Sequence, residues 1–177
     1  ASLKSVEIGK TAGRNMVKGY IGDIDKVNGC PFDAFVSFNY LEHLPEPGAI
    51  IKNIYNNMTS NAVGFVTVPN LDYLLRTKCF YEFVSDHLSY FTKKTLTYAF
   101  ERNDFDILKC YTINEDNDIV VVVKKRKPNN TVTAITNEEP LDISGHYKEV
   151  ENLINNLQQI VDRYKTENKR IAVWGAG

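Results

Sequence analysis

The stretch FDAFVSFNYLEHLPEP, residues 32–47, decides the fold of this 177-residue chain. Its first eight residues are almost continuously apolar, which is typical of a strand buried on both faces of a sheet. The polar residues Asn39, Glu42 and His43 follow, and two prolines close the segment. A buried strand that runs into a polar loop predicts an open α/β sheet with a ligand site at the carboxyl ends of its strands.

Segments on both sides of this stretch extend the α/β pattern. Apolar runs predict two further strands, at Asn15–Asp23 and Ala62–Pro69. Apolar residues at helical spacing predict helices at 48–58 and, capped by Thr92, at 92–104. The apolar segments 105–113 and 118–126 flank the turn sequence NEDN, which predicts an antiparallel hairpin. The sequence therefore predicts parallel α/β units that end in a hairpin.

Composition changes at Lys127 and divides the chain. Residues 127–142 are polar and include Pro128 and Pro140, so we predict a linker between a domain at 1–126 and a segment at 143–177. In that last segment, apolar residues recur at steps of three and four and predict a long amphipathic helix. The helix is expected to pack on a neighbouring domain, with self-association into a homo-oligomer as the alternative. The final RIAVWGAG, residues 170–177, predicts a strand that enters a glycine turn.

The composition excludes several classes of partner. The 21 basic residues nearly balance the 22 acidic ones, so no strong field favours nucleic acid or a membrane surface, and a small molecule is the expected ligand. Three widely spaced cysteines, Cys30, Cys79 and Cys110, argue against disulfides and against a zinc site. No metal site is predicted. Because no apolar run approaches the roughly 20 residues that span a bilayer, we expect a soluble, cytoplasmic protein.

Candidate functional residues follow the predicted strands. Asp23 closes the first strand and is suited to accept a hydrogen bond from a purine amino group; a simple turn aspartate is the alternative. His43, beside Glu42, is suited to relay a proton, or alternatively to hydrogen-bond its loop. After the third strand, a long aromatic connection carries His87, flanked by Asp86, which has the composition of a general base with an orienting carboxylate. A buried structural histidine is the alternative for His87, and His146 is expected at the surface.

Together these segments resemble the class I S-adenosylmethionine-dependent methyltransferases over about residues 1–125. FDAFVSFNYLEHLPEP looks like the family's fourth strand and loop, and FDILKCYTINEDNDIVVVVKK like its terminal antiparallel pair. SDHLSYFTKKTLTYAFERNDF, residues 85–105, is similar to a subgroup that contains sugar C-methyltransferases and carries a second Rossmann-like domain. The resemblance implies an enzyme that uses S-adenosylmethionine to methylate a small molecule, with a nucleotide-linked sugar as one candidate acceptor.

The resemblance also assigns roles to individual residues. Asp23 matches the position that approaches the adenine amino group, and Asn39 with Tyr40 matches the strand-end residues beside the methyl donor. His43 matches a histidine common in that loop. His87 and Asp86 match the subgroup's proposed base and its acidic neighbour. The resemblance thus implies a catalytic set of His87, Asp86 and Asn39 and a cofactor set of Asp23, Asn39, Tyr40 and His43.

Three departures qualify these expectations. The family's glycine-rich loop and ribose-binding acid are not in this sequence, so we expect a fragment cut from a longer protein. This fragment is expected to be inactive alone. Its strand at 32–39 is expected to have an unpaired apolar edge. Val84 stands where one branch of the sugar subgroup has a tyrosine.

Two functions are alternatives to a methyltransferase. One is a nucleotide-binding or dehydrogenase-like module, based on VWGAG, and the other is a non-catalytic assembly protein that kept the fold.

Overall fold

Four strands form one mixed sheet in the computed structural model, which describes residues 2–127 and 143–172. In chain order the strands are β1 (Phe32–Phe38), β2 (Met58–Pro69), β3 (Phe105–Ile113) and β4 (Asp118–Lys125). Their spatial order is β1-β2-β4-β3, with β1 parallel to β2 and β4 antiparallel to both of its neighbours. The predicted parallel unit and terminal hairpin are confirmed.

The helices predicted at 48–58 and 92–104 are confirmed, and two further helices precede β1 and follow β2. Their bounds are Leu3–Thr11 for α1, Pro47–Asn56 for α2, Leu71–Thr77 for α3 and Lys93–Glu101 for α4, with short 3-10 turns at Leu41–His43 and Phe80–Glu82. Pro47 begins α2, where its missing N–H costs nothing. Thr92 and Thr95 form a capping box at the start of α4, each side-chain oxygen accepting a hydrogen bond from the other's backbone N–H.

The core lies where α2 and α4 cover the sheet. Ile51 of α2 and Leu96 of α4 are fully buried in one cluster with side chains from β2, β3 and β4. Phe105, at the start of β3, is at the centre of this cluster, since its ring contacts those of Phe35, Tyr55 and Phe100. The amphipathic spacing that predicted the two helices is therefore the spacing that buries them.

Two expectations about strands are wrong. Residues 15–23 form no strand; Gly19 and Gly22 interrupt the apolar residues, and the N–H of Asp23 bonds the carbonyl of Tyr20 to close a turn. β1 is not buried on both faces, because Val36 and Phe38 are 65% and 62% exposed. Both side chains lie on the face opposite the one on which Phe35 packs against the core. Among the described strands β1 pairs only with β2, so it is also an edge strand. Its unpaired apolar edge agrees with the expectation from sequence.

A second unit holds the described residues 143–172 and consists of α5 (Ser144–Thr166). This helix confirms the predicted amphipathic pattern, and Tyr147, Ile154 and Leu157 on it are exposed. No helix in the described part of the chain is both long and apolar enough to cross a bilayer. Nearly all of the predicted linker and most of RIAVWGAG lie outside the described residues.

Gly64, in the middle of β2, permits close packing between three strands. It pairs with Phe35 on β1 and Val123 on β4, and a β-carbon there would overlap the Phe35 ring and lie 2.8 Å from Cγ2 of Val123. We expect Gly64→Ala to lower the free energy of unfolding by about 1–3 kcal/mol, because the strands must shift. Urea denaturation of the purified chain measures this difference.

Gly48→Ala is the matched control for this prediction. Gly48 lies in α2, where an added β-carbon would meet its nearest neighbour at 3.8 Å, an ordinary contact. The control should be as stable as the native chain or more stable by up to about 1 kcal/mol, because alanine favours helix. Equal losses in both variants would contradict the packing argument.

Candidate active site

Two asparagines of α2 hold the loop that carries Asp23. Asn53 donates hydrogen bonds from its amide to the carbonyl oxygens of Ile21 and Ile24. The amide of Asn57 bonds the backbone of residues 25 and 27, and this side chain is 1% exposed. Since both asparagines are fixed in or beside α2, they determine where the Asp23 carboxylate sits.

Asp23 and His43 line the same cleft, which has a volume of about 430 Å³. The cleft runs between the 20–23 turn and the start of α2, and apolar groups such as Ile21, Leu44 and Ile50 form most of its wall. An apolar slot with a carboxylate acceptor is the chemistry that a planar purine with an exocyclic amino group requires. The structure therefore brings together two of the residues that the sequence assigned to the cofactor.

Asn39 ties the ends of three strands together. It has a positive φ of 43°, and its backbone N–H bonds the carbonyl of Thr67 at 3.0 Å. Its side-chain amide accepts from the Thr67 hydroxyl at 2.7 Å and donates to Asp118 at 3.4 Å. Tyr40, which follows, is 44% exposed. These bonds fix the point at which the chain leaves β1 and enters the turn that carries Glu42 and His43.

His87 lies against His43, although 44 positions separate them in the sequence. Their ring centroids are 4.8 Å apart, and the Tyr90 ring lies 5.9 Å from that of His87 on another side. Nδ1 of His87 is buried and has no hydrogen-bond partner in the described part of the chain. Asp86 does not bond this nitrogen, since its carboxylate lies 3.5 Å from Nδ1 of His43 and its carbonyl oxygen 2.9 Å from the same atom.

Glu42 lies beneath both histidines. Its side chain is 2% exposed, Oε1 is 3.8 Å from Nε2 of His43, and Oε2 has no partner among the described residues. Burial raises the pKa of this carboxyl above its ordinary value, a rise that a backbone hydrogen bond and the neighbouring His43 and His87 partly offset and Asp118 reinforces. Ligand atoms of Glu42, His43 and His87 all lie within 4.8 Å of one another.

The connection from β2 to α4 is anchored at its carboxyl end. The carbonyl oxygen of Glu42 accepts hydrogen bonds from the N–H groups of Leu88 and Ser89, at 2.8 and 3.0 Å. In the same connection, the Phe83 and Tyr90 rings lie against each other at a tilt, with their centroids 4.9 Å apart. Burial raises the pKa of the Tyr90 hydroxyl. The connection is not one irregular loop, because α3 and the turn at Phe80–Glu82 lie within it. Its aromatic side chains form a wall beside the two histidines.

Sequence reasoning missed three residues that shape the site. Glu42 was noted only as a neighbour of His43, yet it is the buried group that both histidines surround. The role of Asn53 and Asn57 could have been inferred from one sequence feature. Two asparagines four positions apart in an apolar helical segment are unusual unless their side chains bond backbone groups. The pairing of Asp86 with His87 rests on adjacency and on the family resemblance, and adjacent side chains seldom face each other.

A family model described as a methyltransferase domain matches residues 6–109 of this chain. The chain belongs to this methyltransferase family. The match spans the cleft, the histidine pair and all the site residues predicted from sequence. A search of curated protein sequences gives no match.

Solved structures of low sequence identity share the fold of this methyltransferase. A chain of the complex between the Haloferax volcanii Trm112 methyltransferase activator and a methyltransferase superposes with a TM-score of 0.59 at 10% identity, covering 73% of this chain and 71% of that chain. An S-adenosylmethionine-dependent methyltransferase from Clostridium acetobutylicum superposes with a TM-score of 0.54 at 10% identity, covering 68% of this chain and 69% of that chain. The 1,6-didemethyltoxoflavin-N1-methyltransferase of Burkholderia thailandensis, with S-adenosylhomocysteine bound, has a TM-score of 0.54 at 12% identity, covering 72% of this chain and 58% of that chain. The Rossmann-like methyltransferase fold predicted from sequence is confirmed.

Proposed function

We propose that this methyltransferase uses S-adenosylmethionine and transfers its methyl group to a small molecule. The observation that carries the proposal is the cleft that joins Asp23 to His43, with the His87 ring in edge-to-face contact with that of His43. One edge of this arrangement suits an adenine, and the other lies beside the His87 ring, whose buried Nδ1 has no hydrogen-bond partner within the described residues. A purine slot beside a proton acceptor is what a methyltransferase with a small acceptor requires.

The residues present fit the adenine end of the cofactor. Asp23 would accept from the adenine amino group, while Ile21, Leu44 and Ile50 would pack on the ring. Asn39 would act through the hydrogen bonds that fix the strand end, holding Tyr40 and His43 toward the donor. When bound, S-adenosylmethionine supplies an electrophilic methyl group on a sulfonium centre.

His87 is the proposed proton acceptor. A hydroxyl, amine or acidic carbon that gains a methyl group must lose a proton, and a neutral imidazole is suited to take it near neutral pH. The edge-to-face contact with His43 restrains the His87 ring, and the Phe83 and Tyr90 rings lie against each other in the same connection. Asp86, bonded to His43, orients the pair through that histidine.

We further propose that the acceptor is a nucleotide-linked sugar and that residues 143–177 begin a second Rossmann-like domain after a linker at 127–142. The likeness of SDHLSYFTKKTLTYAFERNDF to the sugar C-methyltransferase subgroup supports this, and Val84 in place of a tyrosine sets the substrate apart from that of one branch. The cytoplasm, where activated sugars are made, is the proposed location.

Calorimetric titration of the full-length protein with S-adenosylhomocysteine tests the proposal. Asp23→Asn should weaken binding by roughly 10-fold to 100-fold, because the acceptor loses the negative charge that strengthens its hydrogen bond. Asp25→Asn is the matched control, since Asp25 lies two positions away and lines a different cleft. Binding that is absent from the native protein, or equally weak in both variants, would refute the assignment.

A further inference from the structure

Glu42, His43 and His87 form a cluster of three ligand-type side chains. One ligand atom from each lies within 4.8 Å of the other two, and in the described part of the chain this is the one group of three or more His, Cys, Asp and Glu residues so arranged. The residues come from two places, the turn after β1 and the connection before α4. Folding, and not sequence proximity, therefore assembles the cluster.

The hydrogen bond of His43 prepares one nitrogen for coordination. Nδ1 of His43 lies 2.9 Å from the carbonyl oxygen of Asp86, and a carbonyl can only accept, so Nδ1 carries the proton. In the neutral ring Nε2 then presents its lone pair, and this atom faces Glu42 at 3.8 Å. A histidine that bonds a backbone carbonyl through one nitrogen and offers the other is the common arrangement around protein-bound metals.

Two buried atoms of the cluster lack hydrogen-bond partners among the described residues. They are Oε2 of Glu42 and Nδ1 of His87, and the Glu42 side chain is 2% exposed. Buried polar atoms in folded proteins are nearly always satisfied, so each such atom needs an explanation. A cation between them would satisfy a carboxylate oxygen and an imidazole lone pair at once.

We propose that Glu42, His43 and His87 bind a divalent transition-metal ion, with Zn²⁺ as the probe. Two imidazoles and one carboxylate suit zinc and its first-row neighbours, whereas Mg²⁺ and Ca²⁺ prefer oxygen ligands alone. Three protein ligands leave a coordination position open. With zinc–ligand distances of about 2.1 Å, the three ligand atoms must approach to about 3.5 Å of one another when the ion binds.

The site goes beyond the proposed function and has a consequence for it. Coordination occupies the Nδ1 lone pair of His87, so a metal-loaded chain cannot use that nitrogen to accept a proton. The ion is therefore an inhibitor of methyl transfer. Its binding needs neither S-adenosylmethionine nor an acceptor, so a failure of the metal site and a failure of the methyl-transfer proposal are separate results.

Titration of the tag-free, metal-free chain with ZnCl₂ tests the site. The native chain should bind one ion, and His87→Asn and Glu42→Gln should each weaken binding at least about 10-fold. His146→Asn, which removes the remaining histidine on α5, and a variant with all three cysteines replaced by serine are the controls and should bind as the native chain does. Circular dichroism verifies that each variant is folded.

A measurement on the unmodified chain keeps the test independent of variant folding. Cobalt(II) in place of zinc should give the visible absorption of a site with nitrogen and oxygen ligands and no thiolate-to-cobalt band in the ultraviolet. The proposal is overturned if the native chain binds no ion, if the cobalt spectrum shows thiolate ligation, or if His87→Asn and Glu42→Gln bind as tightly as the native chain.

Discussion

Replacing Phe105 with alanine is expected to lower the free energy of unfolding by about 3–5 kcal/mol. Phe105 is fully buried, and its ring makes edge contacts with Phe35, Tyr55 and Phe100 at centroid distances of 5.8, 5.6 and 5.7 Å. Its removal would open a cavity between β1, α2 and α4, which the surrounding side chains cannot fill without leaving their rotamers. Urea denaturation followed by circular dichroism measures the loss.

Phe38→Ala is the matched control for the Phe105 variant. Phe38 has the same chemistry and also contacts one aromatic ring, that of Phe65 at 5.8 Å, but it is 62% exposed on the edge strand. We expect a loss below about 1 kcal/mol. If the two substitutions cost the same, Phe105 is not the centre of the core.

Replacing His87 with asparagine is expected to lower turnover in the full-length protein by about 100-fold or more, the usual contribution of a positioned base. Affinity for S-adenosylhomocysteine should stay nearly unchanged, because the cleft that includes Asp23 and His43 is intact. Asparagine keeps a polar group of similar size at this half-buried position. Steady-state kinetics together with calorimetric titration separate the two effects.

A second histidine completes this test. His146→Asn, on α5, should leave turnover unchanged. Unchanged turnover in the His87 variant would remove this residue from the reaction.

The strands and helices that pack face to face could be predicted from the sequence. Ile51, Leu96 and Phe100 repeat at helical spacing and are buried at that spacing, and the apolar halves of the β3–β4 hairpin pair around NEDN as expected. Residues 15–23 could not be predicted, because their backbone groups are satisfied by a turn and by side chains of α2. Contacts with residues distant in the sequence, and not the local apolar pattern, determine the backbone conformation of such a segment.

The site could be predicted in part, residue by residue but not as an arrangement. His43 and His87 each carry a recognisable local pattern, and the structure brings them together. The burial of Glu42 could not be foreseen, since a glutamate in the loop that follows a strand is expected in water. Glu42 is buried in the short turn at Leu41–His43, and Asp86, expected beside His87, contacts His43 instead.

The carbonyl of Glu42 accepts hydrogen bonds from Leu88 and Ser89, and the carbonyl of Asp86 contacts His43, so the histidine-bearing end of the aromatic connection is fastened to the turn that follows β1. In the proposed reaction, an acceptor would therefore enter and leave past the stretch from Lys78 to Ser85. Substrate range and proton transfer would then depend on separate parts of one connection. Sequence changes between Lys78 and Ser85 could then admit a new acceptor while the end that carries His87 keeps its chemistry.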